Sequence, residues 1–208
     1  MDPIQIALIC ALVISVIIHE MAHGYMANYL GDPTARLAGR LSANPLVHID
    51  PMMSVILPSI LILTGSPFVF GAAKPVPYNP YNLRNQKWGE ALVAIAGPLS
   101  NIALAFIFAL LYRYVNFTPT FSTLCFNIVG LNLFLALFNL VPLPPLDGSK
   151  ILPPLLPFRL RIKYDQFRFA MEQNVALAFG LVVLVFIFVL GGPLAMITQQ
   201  LTLLLIGQ

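Results

Sequence analysis

The residues best suited to chemistry lie in one pentapeptide, His19-Glu20-Met21-Ala22-His23, which follows an almost wholly apolar segment over residues 4–18. On a helix, two histidines four residues apart lie on one face and can share a Zn²⁺ ion, and the glutamate between them can reach the water that the ion activates. An ionisable group inside an apolar span costs roughly 2.5–3.5 kcal/mol on insertion scales and usually marks function. The spacing therefore predicts hydrolytic zinc chemistry within a membrane.

A second candidate group ends another apolar stretch, where the sequence runs from Asn139 through three prolines to Asp147-Gly148. Prolines cannot continue a helix, so this segment delivers one carboxylate at the edge of the membrane. A catalytic zinc site with two histidines needs a third protein ligand and leaves a fourth position open for water. Asp147 is the best candidate for that ligand. The alternative is that Asp147 only caps a turn before Gly148.

The composition is that of an integral membrane protein. Of the 208 residues, 59% are hydrophobic and only 9% are charged, against roughly 25% charged residues in soluble domains. The net charge of +3 comes from loop residues and does not indicate nucleic acid. Cys10 and Cys125 are isolated in apolar segments and are interpreted as packing residues. We expect one membrane domain over residues 1–208, with a core at 1–150 and C-terminal helices at 169–206, and no removable signal peptide.

The hydrophobic pattern predicts an all-α polytopic membrane protein with about four to six transmembrane or re-entrant helices and a small membrane-associated β segment. The first helix begins at Asp2-Pro3 and stops at Gly31. The other long apolar stretches are Ala91 to Tyr114, Phe121 to Val141 and Val175 to Leu190. Two shorter stretches, Met52 to Thr64 and Pro193 to Ile206, are not secure spans against the ~20 residues that a span needs. Loops are predicted over residues 31–51, 65–90 and 142–168.

The two motifs restrict the topology. Both lie at the C-terminal ends of their helices, so those helices must cross the membrane in the same direction to bring the ligands to one depth. One crossing must therefore lie between them, and Met52 to Thr64, which is broken by Pro58, is the stretch that does not span. With the N-terminus outside, only Arg113 is external. The cytoplasmic basic residues are then Arg36, Arg40, Lys74, Arg84, Lys87, Lys150, Arg159, Arg161, Lys163 and Arg168.

Three segments together resemble the site-2 protease family of intramembrane zinc metalloproteases. They are the histidine motif in the first span, Ala96 to Asn101 in the next, and Asn139 to Gly148 after the third. The resemblance covers roughly residues 1–150, in a compact form without PDZ or CBS domains. Regulation through such modules is then absent or comes from a separate partner.

The resemblance implies that His19, His23 and Asp147 bind one zinc ion per chain and that Glu20 activates water for peptide hydrolysis. It places Asn139 by the active centre, where we expect it to support the site or to stabilise an oxyanion. The implied partners are transmembrane-protein substrates and the lipid bilayer, and the implied location is the cell (inner) membrane with the active site toward the cytoplasm. The family's β segment between the first two spans corresponds to residues 68–77, whose exposed edge would hold a substrate as an added strand.

Three other polar residues are candidate parts of the site. Asn101 and Asn132 are candidates to line a polar route for water, although Asn132 is better interpreted as a contact between helices. His48, the remaining histidine, is interpreted as structural. The alternative function is a non-catalytic zinc-binding membrane protein, either a transporter or an inactive scaffold. A transporter should carry several intramembrane carboxylates, whereas Glu20 and Asp147 are the only acids near span interiors, which favours a protease.

Overall fold

The computed structural model describes residues 3–48, 74–115 and 118–208. Eight α-helices are numbered here in chain order. They are α1 Pro3–Tyr29, α2 Thr34–Leu37, α3 Gly89–Tyr114, α4 Pro119–Asn139, α5 Gly148–Ile151, α6 Phe158–Gln173, α7 Val175–Val185 and α8 Gly191–Ile206. Short 3₁₀ turns lie at Pro45–His48, Pro80–Asn82 and Pro153–Leu155. The described residues contain no strand, and the all-α prediction is confirmed.

Four helical segments are long and apolar enough to cross a bilayer: Pro3–Tyr29, Gly89–Tyr114, Pro119–Asn139 and Val175–Ile206. Three of them match the secure spans of the sequence analysis with small shifts at their ends. The Met52 to Thr64 stretch and residues 68–73 of the predicted β segment lie outside the described residues. Residues 74–77, the rest of that segment, form no strand.

The last span is longer than predicted, because the chain does not break at Gly191-Gly192. Helix α7, a π-helical turn over Phe186–Leu190 and α8 follow one another without interruption for 32 residues. In lipid no water can satisfy freed backbone groups, so a membrane helix continues through glycine and proline and absorbs them in local π or 3₁₀ turns. The π turn lies directly before Gly191, Gly192 and Pro193. The stretch from Pro193 to Ile206, whose path the sequence left open, thus continues the preceding helix.

The predicted loop over residues 142–168 was also wrong in its second half. Helix α6 begins at Phe158, eleven residues before the predicted C-terminal helices. Basic and apolar residues alternate in this segment, so its helical periodicity could not be recognised in the sequence. Two pairs four residues apart support it: Arg161 Nε lies 3.5 Å from Asp165 Oδ2, and Arg168 Nε lies 3.7 Å from Glu172 Oε1.

The bundle packs around α3, which contacts α1, α4 and α8. Its small residues Ala105 and Ala109 are buried against Val129, Leu133 and Ile206. Small side chains allow helix backbones to approach closely, which is how membrane helices gain van der Waals contact without a hydrophobic driving force.

Contacts at the helix ends give the directions of the spans. The Arg113 guanidinium near the end of α3 donates to the Leu204 carbonyl of α8 at 2.9 Å, so these two helices end together. At the opposite end of the bundle, His23 near the end of α1 donates to the Val93 carbonyl near the start of α3. Helix α1 therefore runs against α3. Asp147, which follows the end of α4, lies 3.1 Å from His19 of α1, so α4 ends on the same side as α1 and runs parallel to it, as the two motifs required.

Candidate metal centre

The two motif histidines face each other across one turn of α1. His19 Nε2 lies 3.1 Å from His23 Nε2, and both side chains are buried. His23 Nδ1 is 2.7 Å from the Val93 carbonyl oxygen, and His19 Nδ1 is 2.6 Å from Asn101 Oδ1. Because both of these partners are acceptors, each Nδ1 carries the proton. Each Nε2 is therefore left with a lone pair directed at the other.

A chain of asparagines fixes that assignment for His19. Asn132 Nδ2 donates to the Ile128 carbonyl at 3.0 Å, so its Oδ1 faces Asn101 and accepts from Asn101 Nδ2 at 3.0 Å. Asn101 is thus left with its oxygen toward His19. Both asparagines are fully buried. The structure brings Asn101 into contact with a motif histidine, a role that the sequence analysis did not assign, and Asn132 joins α4 to α3 as interpreted.

Asp147 completes the cluster from the other side of the bundle. Its Oδ2 lies 3.1 Å from His19 Nε2 and 3.3 Å from His23 Nε2. Its side chain makes no capping hydrogen bond to the turn that starts at Gly148, which removes the support for the capping alternative. An aspartate carboxyl has an ordinary pKa of about 3.9, so this group is an anion at neutral pH and can serve as a metal ligand.

The donor set fits a zinc ion. Three lone-pair-bearing atoms within 3.1–3.3 Å of one another repel unless a cation lies among them. A tetrahedral zinc ion with ligand distances of about 2.0–2.1 Å has edges of roughly 3.3–3.4 Å between ligand atoms. The triangle of His19, His23 and Asp147 has nearly these dimensions, and no other such group of three occurs over residues 3–48, 74–115 and 118–208.

Two glycines let the elements approach closely enough to form the cluster. A Cβ on Gly97 of α3 would lie 2.5 Å from His23 Cε1 and 2.6 Å from His19 Cε1. A Cβ on Gly148 would lie 2.5 Å from the carbonyl oxygen of Val141. Both distances are shorter than real Cβ contacts. Gly97 and Gly148 are therefore required, because a side chain at either position would clash with the motif histidines or with the loop that precedes Asp147.

Glu20 lies beside the cluster without joining it. Its Oε2 accepts a hydrogen bond of 3.0 Å from the Val76 backbone N–H. The chain at Val76 is held by Arg40, which donates to the carbonyls of Val47, Lys74 and Pro75. A half-buried carboxylate is thus oriented next to the histidine and aspartate cluster.

His48 supports the same loop and is not part of the cluster. The His48 ring contacts the Ser42 carbonyl through Nε2 at 2.8 Å, and its own carbonyl accepts from the Lys74 N–H at 2.9 Å. The His48 side chain is buried. These contacts agree with the structural interpretation of this histidine.

A cavity of about 590 Å³ opens beside the cluster and is lined by His19, Glu20, His23 and Asp147. Most of its wall is apolar and comes from spans, including Val16, Val93, Leu135, Phe138, Phe179 and Val182. Asn139 also lines it, and its Nδ2 donates to the Leu135 carbonyl of its own helix at 3.0 Å. The space suits an apolar peptide segment that enters between helices.

A charged group borders the same cavity. Lys150 and Tyr78 both line it, and Tyr78 donates to Glu90 Oε1 at 3.3 Å. Glu90 Oε2 accepts from Arg168 Nη1 of α6 at 3.1 Å. Burial alone lowers the pKa of the Lys150 ammonium, but Tyr78, Asp147 and Glu90 raise it above its ordinary value. Lys150 is therefore charged at neutral pH.

Taken together, the fold and the site define a class of protein: a membrane-embedded metallohydrolase. Two histidines and one carboxylate offer three ligand atoms to a metal, a second carboxylate lies beside them, and an apolar cavity opens between spans next to these residues.

Comparison with known proteins gives the family. Residues 7–129 match the family described as peptidase family M50, and the chain belongs to it. YwhC of Bacillus subtilis, provisionally named a zinc metalloprotease, is 40% identical over 191 residues, which are 88% of this chain and 80% of YwhC. Rip2 of Mycobacterium tuberculosis, named in the same way, is 30% identical over 152 residues, 72% of this chain and 57% of Rip2. The chain thus spans four fifths of one relative and little more than half of the other.

No solved structure matches the chain. The family resemblance read from the motifs is confirmed, and the chain is an intramembrane zinc metalloprotease. No finding favours the non-catalytic alternative.

Proposed function

We propose that this chain is a metalloendopeptidase of the site-2 type, which cleaves membrane proteins within or next to their transmembrane helices. One observation carries the proposal: the His19, His23 and Asp147 cluster opens with Glu20 into an apolar cavity between spans. A soluble substrate would meet a wall of water-excluding side chains there, whereas a membrane helix would meet a surface like lipid.

The proposed roles follow from the contacts. His19 and His23 bind zinc through Nε2 and Asp147 through a carboxylate oxygen, and zinc, when bound, supplies Lewis acidity and lowers the pKa of water. Glu20 accepts a proton from the attacking water as the new C–O bond forms at the amide carbon. It then delivers this proton to the amide nitrogen as the C–N bond breaks. The Val76 N–H holds the Glu20 carboxylate in position for both transfers.

The proposed substrate is an apolar segment whose helix has unwound, because helical amides are hydrogen-bonded internally and resist attack. The cavity wall agrees with such a segment, since its side chains from α1, α3, α4 and α7 are mainly aliphatic and aromatic. Asn139 is proposed to contact the substrate or to support the site from the end of α4.

We propose that the active site faces the cytoplasmic side of the cell membrane. Arg113 lies at the end of the bundle where α3 and α8 finish, and the other ten lysines and arginines belong to segments at the zinc end. Basic residues are enriched in cytoplasmic loops, so the distribution supports this orientation.

The test is a substrate trap in native membranes. Membranes are prepared from cells with wild-type protein, with Glu20→Gln and with the control Asp165→Asn, a partly exposed carboxylate on α6. Intact and truncated membrane proteins are identified by mass spectrometry. We expect proteins that accumulate intact only with Glu20→Gln and that yield fragments cut within or beside a membrane span in the other two. Fragments cut only in soluble domains would contradict the proposal.

A further inference from the structure

Lys150 is a charged cavity residue whose chemistry the proposed function leaves unused. It lies in the short helix α5, three residues after Asp147. Side chains three residues apart in a helical turn lie on the same side of it, and both of these line the cavity. Among the described cavity-lining residues, Lys150 is the only lysine or arginine.

The groups around Lys150 fix the position of its ammonium but form no ion pair with it among the described residues. Its Nζ lies 5.2 Å from the centre of the Tyr78 ring, a distance at which an aromatic face attracts a cation. Of the two carboxylates that act on Lys150, Glu90 is paired with Arg168 at 3.1 Å, and Asp147 lies against His19 and His23. Over residues 3–48, 74–115 and 118–208, no carboxylate oxygen forms an ion pair with Lys150. The ammonium therefore keeps N–H donors for a ligand.

The other donors near the cluster are already engaged. The Val76 N–H donates to Glu20. The Nδ1–H of His19 donates to Asn101, and the Nδ1–H of His23 donates to the Val93 carbonyl. Asn139, the sequence-based candidate for an oxyanion contact, directs its Nδ2 to the Leu135 carbonyl. Amide hydrolysis nevertheless develops a negative charge on the carbonyl oxygen, and stabilising this charge is commonly the largest single contribution to catalysis.

We propose that Lys150 is a catalytic residue that donates a hydrogen bond to the oxygen of the scissile amide as that oxygen becomes an anion. When water adds to the carbonyl carbon, the C=O electron pair moves onto this oxygen, and it returns when the C–N bond breaks. Lys150 stays protonated throughout, and Glu20 carries the transferred proton. A charge-assisted hydrogen bond is strong in a cavity walled by apolar side chains. The proposal rests on the proposed function.

The first measurement uses purified, zinc-loaded protein in bilayers and a substrate identified by the trap. Lys150→Met removes the cation while keeping an apolar stem, Lys150→Arg keeps the charge, and the exposed Lys163→Met is the matched control. We expect Lys150→Met to lower kcat by about 100-fold or more, with KM within about threefold and stoichiometric zinc. Lys150→Arg should recover at least a tenth of the wild-type rate. Lys163→Met should behave as wild type.

The second measurement separates catalysis from packing. A phosphinic peptide copies the tetrahedral, negatively charged state, and an amide peptide of the same length copies the ground state. Transition-state contacts affect only the first, so Lys150→Met should weaken binding of the phosphinic peptide by the same factor as kcat/KM and leave binding of the amide peptide unchanged. This binding measurement needs no turnover. Lys150→Gln serves in its place if the methionine variant does not fold.

Two results would overturn the assignment. One is an unchanged kcat in zinc-loaded Lys150→Met, and the other is an equal loss of affinity for both peptides, which indicates a side chain that only shapes the cavity. In either case Glu20-dependent cleavage by the wild type would remain, and the proposed function would stand. Failure of the proposed function appears differently, as an absence of cleavage that depends on Glu20.

Discussion

Asp147 is the only carboxylate in a cluster whose other two members are histidines. Asp147→Asn keeps the shape of the side chain and removes the charge, so we expect zinc affinity to fall well over tenfold. Competition with a chelator of known affinity, on purified protein, measures this directly. Asp165→Asn, which changes a partly exposed carboxylate on α6, controls for general effects of lost charge. Unchanged zinc affinity in Asp147→Asn would remove it from the ligand set.

Asn101 sets the tautomer of His19, because its Oδ1 accepts a hydrogen bond from His19 Nδ1. We expect Asn101→Leu, of similar size, to leave His19 Nδ1 without its acceptor and to weaken zinc binding by about 10–100-fold, which is typical for loss of such a partner. Asn127→Leu is the matched control, because Asn127 lies on a span and bonds only to the Thr123 carbonyl of its own helix. Equal zinc affinity in the two variants would show that the Asn101 contact does not support the metal.

At the scale of single residues, local spacing in the sequence was enough to predict part of the site. Two histidines four apart and one carboxylate after a proline-ended helix could be combined, because a zinc site has a known number and type of ligands. The Asn101 contact could not be derived, since it depends on the register of α3 against α1. The available signal was an asparagine four residues after Gly97, buried in an apolar span at the same helical face.

Among the elements, the loop after α1 is held by a buried carboxylate. Asp32 is fully buried and accepts hydrogen bonds from Thr34, from the Asn79 N–H at 2.6 Å and from Asn82 Nδ2 at 2.8 Å. Burial raises the pKa of Asp32, but these hydrogen bonds outweigh it and lower the pKa below its usual value. A lowered pKa in the folded state stabilises the fold above the unfolded pKa, and this contribution is lost as the pH falls through the folded pKa.

Asp32→Asn should therefore lower the free energy of unfolding at pH 7 by about 2 kcal/mol, the contribution of hydrogen bonds to a charged group. The difference from wild type should shrink as the pH is lowered below about 4, where the unfolded carboxyl is protonated. Thermal unfolding in detergent across this range measures it, with Asp165→Asn as control. A difference that does not depend on pH would contradict the role of the Asp32 charge.

The sequence predicted elements well where a long apolar run required a span and less well where two rules competed. At Gly191-Gly192-Pro193 the residues tend to break a helix, but the helix continues because backbone groups in lipid must be hydrogen-bonded within the protein. In α6, the alternation of basic and apolar residues led to the prediction of a loop. Ion pairs between residues one turn apart instead stabilise a helix there. Neither outcome can be derived from composition, because each depends on the surroundings of the segment.

For the whole molecule, topology is the open prediction. The His48 carbonyl accepts from the Lys74 N–H, and Asp32 contacts Asn79 and Asn82, so the chain on either side of residues 49–73 lies at one end of the bundle. With Cys10 and Cys125 replaced, single cysteines at the exposed positions Ala38 and Tyr81 should both react with a thiol reagent from the cytoplasmic side. A cysteine at the exposed Tyr114 should react from outside. Labelling of Ala38 and Tyr81 from opposite sides would show that the segment between them crosses.

The division of labour at the metal is the central claim: His19, His23 and Asp147 bind zinc, and Glu20 moves the proton. The most direct test is zinc content and cleavage measured on the same purified samples of wild type, Glu20→Gln and His23→Ala. Glu20→Gln should retain close to one zinc per chain and lose cleavage of a trapped substrate, whereas His23→Ala should lose both. Equal loss of zinc in the two variants, or cleavage by Glu20→Gln at the wild-type rate, would contradict the account.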